Sequence, residues 1–173
     1  MTLVRFPVAV IMERIPLTNR WVNEQWRAAA VELDADAEHP PEPLGTHSDT
    51  TRWRVPGHTI ELHRSEGEGY YLNLASGDPK VFVMWRMLEP DADEQSEPRA
   101  RPVIVTVSYG EAARFLDAGE QVDAVPMPTP IRVALEPFVA EHFRPEPRKK
   151  VKRNELYEGD APRRAEPFGG RRR

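Results

Sequence analysis

Apolar residues in this chain are gathered into a few dense blocks separated by polar, proline-rich stretches, and the periodicity inside most blocks is that of strands. Leu3 to Glu13 is β-branched and apolar on both faces, and Ile15-Pro16-Leu17-Thr18-Asn19 closes it with a turn. Arg20 to Leu33 fits two templates: Val22, Trp26, Ala29 and Leu33 share a helical face, while Val22, Trp26, Ala28 and Ala30 share a strand face. The strand, paired with the first segment, is the reading adopted. Thr59 to Arg64 alternates, Tyr70 to Ala75 is aromatic-rich, and Gly67-Glu68-Gly69 between them resembles a hairpin connection. Ser76-Gly77-Asp78-Pro79 turns the chain into Lys80 to Leu88. There Val81, Val83, Trp85 and Met87 form one face and Phe82, Met84 and Leu88 the other, the pattern of a central strand. Pro102 to Val107 is the last predicted strand.

Helical signals follow it. Ser108-Tyr109-Gly110-Glu111 reads as a capping box opening a helix from Tyr109 to Ala118, with Gly119 as the stop and Ala112, Phe115 and Leu116 facing inward. Thr129 as cap and Pro130 at the first helical position open a second helix, which runs to about Phe143 with Ile131, Leu135, Phe138 and Val139 inward. Pro137 predicts a kink or break near Val133 to Glu136. Asp34 to Asp49 and Glu89 to Arg101, with their prolines and acids, read as long surface loops. The expected fold is therefore α+β and mainly antiparallel β: a curled sheet or small barrel of about six strands followed by two C-terminal helices. It occupies residues 1–143 as a single domain, and residues 144–173 form a basic tail.

Charge sharpens that division. Residues 144–173 hold eleven Lys/Arg against five Asp/Glu, a net of +6, and the other residues hold 13 against 23, a net of −10. The tail has too few apolar residues to offset its ordering entropy, so disorder of the isolated tail is expected. With no cysteine in 173 residues, disulfides, thiol catalysis and thiolate-held metal centres are excluded. The interrupted N-terminal run is too short for a signal peptide or a membrane span, and a cytoplasmic location with no membrane span is the expectation.

Candidate chemistry is sparse. His58, Glu61 and His63 come nearest to a metal cluster, but strand alternation sends His58 to the face opposite the other two. His39 and His47 fall in a predicted loop, and His142 lies near a helix end, where an imidazolium suits the dipole. No glycine-rich phosphate loop or nucleophile elbow occurs, and the carboxylates Asp117, Glu120 and Asp123 read as ordinary acids flanking a helix end. No cofactor and no catalytic residue is assigned.

Recognition is the better-supported theme. Tyr70, Tyr71, Trp85 and Arg86 are of the types that dominate interface hot spots, although core packing is the stronger reading of Trp85. Arg86, a charge on an apolar strand face, must reach the sheet edge or pair with a carboxylate. Arg148, Lys149, Lys150, Lys152 and Arg153 in the tail suit an acidic protein partner or nucleic acid, and a solvating appendage is the plain alternative. A small-molecule-binding β-barrel would need a concave polar pocket, which a sequence does not display.

Several segments together carry a family resemblance: Asn19-Arg20-Trp21 with Trp26, Gly69-Tyr70-Tyr71-Leu72-Asn73-Leu74, Val81-Phe82-Val83-Met84-Trp85-Arg86, Val105 to Tyr109 with Glu111-Ala112, Leu116-Asp117-Ala118-Gly119-Glu120, Val125-Pro126-Met127-Pro128 and Arg144-Pro145-Glu146-Pro147-Arg148. Over most of residues 3–150 the chain resembles a small proteobacterial family of unknown function. That family's genes tend to neighbour those for molybdenum-dependent formate dehydrogenase and its maturation factors. Together with the missing catalytic constellation and the opposite charges of body and tail, the resemblance favours an accessory or adaptor protein over an enzyme, with a redox-enzyme subunit or a maturation factor as the expected partner.

Overall fold

The computed structural model describes residues 4–36, 38–89, 97–147 and 149. Strand β1 (Val4–Pro16) lies at the centre of the first sheet, with β2 (Glu24–Leu33) on one side and β4 (Thr50–Leu62) on the other. The strand reading of Arg20 to Leu33 holds from Glu24 onward, where β2 pairs antiparallel with β1 from Val8↔Leu33 to Pro16↔Glu24, while Arg20 to Asn23 belong to the connection between them. The sheet is completed by β3 (Glu42–His47), on the outer side of β4. It falls in the stretch expected to be a loop. Every residue of β3 is exposed, so it has no apolar period for a sequence pattern to show. Ser48 and Asp49, both at positive φ (48° and 65°), make the tight turn into β4, as favoured for two-residue hairpins.

β4 is twice as long as expected, because Pro56 and Gly57 interrupt its alternation. The register against β1 shifts there, from Val8↔His58 to Val10↔Val55, and Gly57 takes φ 90°, a bulge conformation that suits glycine.

The aromatic block Tyr70 to Ala75 is not a strand. A short 3-10 turn (Arg64–Glu66) leads into helix α1 (Gly67–Ala75), so Gly67-Glu68-Gly69 forms a helical turn and not a hairpin. Asn73 anchors it: its amide nitrogen donates to the carbonyls of Lys80 (2.7 Å) and Val107 (2.8 Å), and its oxygen accepts from Lys80 N (2.9 Å). Gly69 permits close approach to α2, since a Cβ there would lie 2.2 Å from Ser108 Oγ.

A second, three-stranded antiparallel sheet has β5 (Lys80–Met87) at its centre, as expected, between β6 (Ala100–Thr106) and β7 (Gln121–Pro126). Strand β7 was not expected from the sequence. Between β6 and β7, helix α2 (Tyr109–Asp117) starts where the capping box places it, with Ser108 Oγ accepting from Glu111 N at 3.1 Å. Glu111 does not complete the box. Its carboxylate accepts the Thr106 hydroxyl instead, and Thr106 Oγ1 accepts from Ser108 N at 3.0 Å. Gly119 (φ 80°) stops the helix, with Gly119 N donating to Leu116 O and Glu120 N to Phe115 O, both at 3.0 Å. Ala112 is buried as expected, but Leu116 is exposed.

The last helix, α3 (Thr129–His142), buries Ile131, Leu135 and Val139, with Phe138 partly covered. Its N-cap is Pro128, one residue before the expected Thr129, and Pro137 does not break it. Proline removes one N–H, and the Val133 carbonyl it leaves lies on an exposed turn, where water can take it.

The core lies between the inner faces of the two sheets: Val8, Val10, Met12, Trp53, Ile60 and Leu62 from one, Val81, Val83, Trp85 and Val105 from the other, with α1 and α3 closing it through Tyr70, Ile131 and Leu135. Burying each of these side chains contributes roughly 1.5–3 kcal/mol. Strand β4 lies beside β6 and β2 beside β7, but no ladder crosses either seam, so the two sheets do not form a closed barrel. Seven strands in two sheets and three helices among the described residues replace the expected six strands and two helices.

Candidate functional site at the hairpin end of the four-stranded sheet

The end of the first sheet that carries the β1–β2 and β3–β4 turns gathers Trp21, Trp26 and Trp53 with Arg14, Arg20, Arg27 and Arg52. At the β1–β2 tip, Leu17 N donates to Asn23 O (2.8 Å), and the Asn19 side-chain oxygen accepts from Trp21 N (3.0 Å). This local hydrogen bond shapes the tip without any help from the core. Trp21 is 86% exposed, and the Arg20 guanidinium lies 5.8 Å from its ring centroid. Val22 beside it is also exposed.

On the core side of the same end, Trp26 and Trp53 stack with centroids 5.3 Å apart, and the Arg14 guanidinium caps both, 5.7 and 5.3 Å from their centroids. Arg14 also donates to Glu97 (3.1 Å), and Trp26 Nε1 donates to Glu24 (3.2 Å). Cation–π contact and ion pairing together hold the arginine against the indoles.

On the opposite face of β1, Glu13 is fully buried. Its register partners are Arg27 on β2 and Arg52 on β4, one on each side. Arg27 Nε donates to one carboxylate oxygen and Arg52 Nε to the other, the latter at 2.9 Å. The two arginine side chains are themselves 53% and 56% exposed, so the carboxylate is sealed beneath two wet cationic side chains. They border a cavity of about 410 Å³ that reaches the β2–β7 seam. Arg52 also lines a second concavity, of about 520 Å³, against the β3–β4 turn. At the seam, Asp123 of β7 accepts from Ala28 N of β2 (2.9 Å) and from Trp85 Nε1 of β5 (2.7 Å). The register shift that leaves Ala29 unpaired adjoins Ala28, whose N–H meets the other sheet. Asp123 is thus a tie between the sheets rather than an ordinary surface acid.

The residues singled out from the sequence lie elsewhere. Tyr70, expected at a recognition surface, is fully buried, because its ring fills the space between α1 and α3, edge-on to Phe138 at 5.9 Å. Its hydroxyl accepts from His63 N (2.9 Å), and burial pushes its pKa up to about 12. Tyr71 is half-buried against Phe143, with ring centroids 5.3 Å apart. Trp85 is a core residue. Arg86 is exposed and held by the Glu120 carboxylate through Nε (3.0 Å) and Nη2 (2.5 Å), one of the two outcomes expected for it. That hydrogen-bonded pair holds the Glu120 carboxyl below the usual carboxylate range. Lys149 is exposed, while Arg148, Lys150, Lys152 and Arg153 fall outside the described residues.

Glu61 and His63 do share a face, with 3.5 Å between Oε2 and Nε2, and His58 is apart from them, with burial lowering its pKa. Among the described residues no group of three or more His, Asp or Glu side chains is placed to hold a metal, and no helix is long and apolar enough to cross a membrane.

A polar knot also joins α1 to α2. The Glu66 carboxylate accepts from Ser108 Oγ (2.6 Å) and from Arg114 Nη2 (2.7 Å). Burial alone would raise its pKa, and these two donors outweigh that and lower it. Ser108 is wholly buried and its hydroxyl is committed both as donor to Glu66 and as acceptor of the cap bond, so its role is structural.

The segments assembled here, from β1 through the residues beyond α3, are those matched by a family model, which covers residues 7–152 and is described as Protein of unknown function (DUF3305). The chain belongs to this family. No curated protein and no solved structure matches it. The DUF3305 match takes in all three helices, both sheets from residue 7 onward and the whole Arg–Trp end, so the site lies within the matched residues.

Proposed function

We propose that this DUF3305 protein is a non-enzymatic accessory or adaptor protein that binds a protein partner through the hairpin end of its four-stranded sheet. The observation that carries the reading is Trp21. A tryptophan left 86% exposed on a tip ordered by its own hydrogen bonds, with an arginine against its ring, joins the two residue types most enriched at interface hot spots. Removing an indole of that area from water on a partner is a large favourable term, and a pre-ordered tip loses little entropy on docking.

The first partner to test is a molybdenum-dependent formate dehydrogenase subunit or one of its maturation factors, the partner class that the family resemblance implies. Tagged protein purified from its native host is expected to bring down such a subunit or factor, and Trp21→Ala to lose it. Absence of any stoichiometric protein with the unmodified chain overturns the proposal.

A second reading rests on the net charge of +6 over residues 144–173, which suits nucleic acid. It predicts salt-sensitive retardation of RNA or DNA that vanishes on truncation after Phe143, and retardation unchanged by that truncation rules the tail out.

A further inference from the structure

From the Glu13, Arg27 and Arg52 geometry we infer an oxyanion-binding site on the outer face of the four-stranded sheet, one that takes a carboxylate or a phosphate group. The arginines are direct cross-strand partners of one buried carboxylate, and among the described residues each donates to it through Nε alone. Anchoring at Nε fixes the plane of a guanidinium and leaves its terminal Nη donors for another acceptor. Other arginines of the molecule are spent differently: Arg86 closes its fork on Glu120, and Arg54 divides Nε and Nη1 between Glu32 and Asp34.

Arg27 and Arg52 instead border the same cavity of about 410 Å³, whose remaining wall is mostly small, with Ala28, Ala29 and Ala124 leaving room for a ligand. Paired planar donors match the oxygen spacing of carboxylate and phosphate, and side chains already held by a buried anchor lose little freedom on binding. Asp123 also lines the cavity, so its two acids balance its two guanidiniums formally. One oxygen of Asp123 is already occupied by Ala28 N–H and Trp85 Nε1–H, yet its charge disfavours dianions. A singly charged oxyanion is therefore the preferred ligand. This site does not depend on the Trp21 proposal, because it is read on the isolated protein.

The test is titration of the full chain with inorganic phosphate and, separately, acetate at constant ionic strength and pH, following the arginine Nε–H resonances by nuclear magnetic resonance. Saturable shifts are expected at Arg27 and Arg52, and at the backbone N–H of Ala28 in the cavity wall, and not at Arg5 or Arg132, and the relative affinities of the two anions identify the preferred group. Arg27→Lys with Arg52→Lys keeps a cation on each side of Glu13 but removes the forks, and is expected to remain folded and lose the saturable shift at Ala28 N–H. No saturation below about 10 mM of either anion, equal shifts at Arg5 and Arg132, or full binding by the folded lysine variant overturns the inference.

Discussion

Removing the two arginines beside Glu13 should cost far more stability than removing Glu13 itself. In Arg27→Leu/Arg52→Leu a carboxylate with no exposure loses both counter-ions, and stranding a buried charge costs about 3–5 kcal/mol. In Glu13→Leu the arginine side chains, already more than half exposed, turn their guanidiniums to water, and the new leucine gains about 2 kcal/mol of apolar burial against the lost hydrogen bonds. A net cost of about 1 kcal/mol follows for Glu13→Leu. For a chain of this size 1 kcal/mol corresponds to about 2–4 °C in Tm, so the double variant should melt about 6–20 °C lower and Glu13→Leu about 2–4 °C lower. Each single arginine variant leaves one cation in place, so the double should cost more than the sum of the two singles. Urea unfolding followed by tryptophan fluorescence, with the slope m checked for constancy, measures all four. Equal costs for the two sides of the ion pair, or a larger cost for Glu13→Leu, would refute the claim that the arginines hold a sealed carboxylate.

Three other outcomes follow from the packing. Asn73→Ala leaves the Lys80 and Val107 carbonyls and the Lys80 N–H without their partner and should cost about 2–4 kcal/mol in urea unfolding, with α1 losing amide-exchange protection first. Gly69→Ala drives a methyl to 2.2 Å from Ser108 Oγ and should destabilise by about 1–3 kcal/mol, an effect that the further change Ser108→Gly partly relieves in a double-mutant cycle. Burial lowers the folded-state pKa of His58 below its unfolded value, so the unfolded state takes up the proton first. Stability should therefore fall as pH drops through the ordinary histidine range toward the folded pKa, and His58→Gln should flatten that part of the pH profile.

What the sequence could and could not show follows from where the information lies. The β1–β2 pairing, the central place of β5, the Ser108 cap, the Gly119 stop and the inward face of α3 are local patterns or short apolar runs, and all were legible. Helix α1 was not, because Tyr70, Tyr71, Leu72 and Leu74 suit either period, while two deciding contacts, Gly69 on Ser108 and Asn73 on Val107, join residues distant in sequence. An asparagine within an apolar run bounded by glycines was the available hint. Strand β3 has no buried face, and β7 is short and irregular in burial, so neither carries an alternating signal. Asp123 looked like a surface acid because its partners, Ala28 N and Trp85 Nε1, belong to other strands.

The same holds for the candidate site. Glu13 closes the apolar run of β1, and its arginines are identified only once the register of three strands is fixed. Tyr70 was misplaced to the surface for the reason α1 was missed. Trp21 was visible as part of Asn19-Arg20-Trp21, but a turn residue next to a strand gives no measure of exposure until the hairpin is built.

The most direct measurement of the central claim places a photo-crosslinking amino acid at exposed Val22, beside an intact Trp21, in the native host, with a matched substitution at exposed Val133 on α3 as the control. Covalent capture of one protein at position 22 and not at 133, abolished when Trp21 is also changed to Ala, is the predicted result. Equal or absent capture at both positions, with the variant folded and expressed, would contradict it.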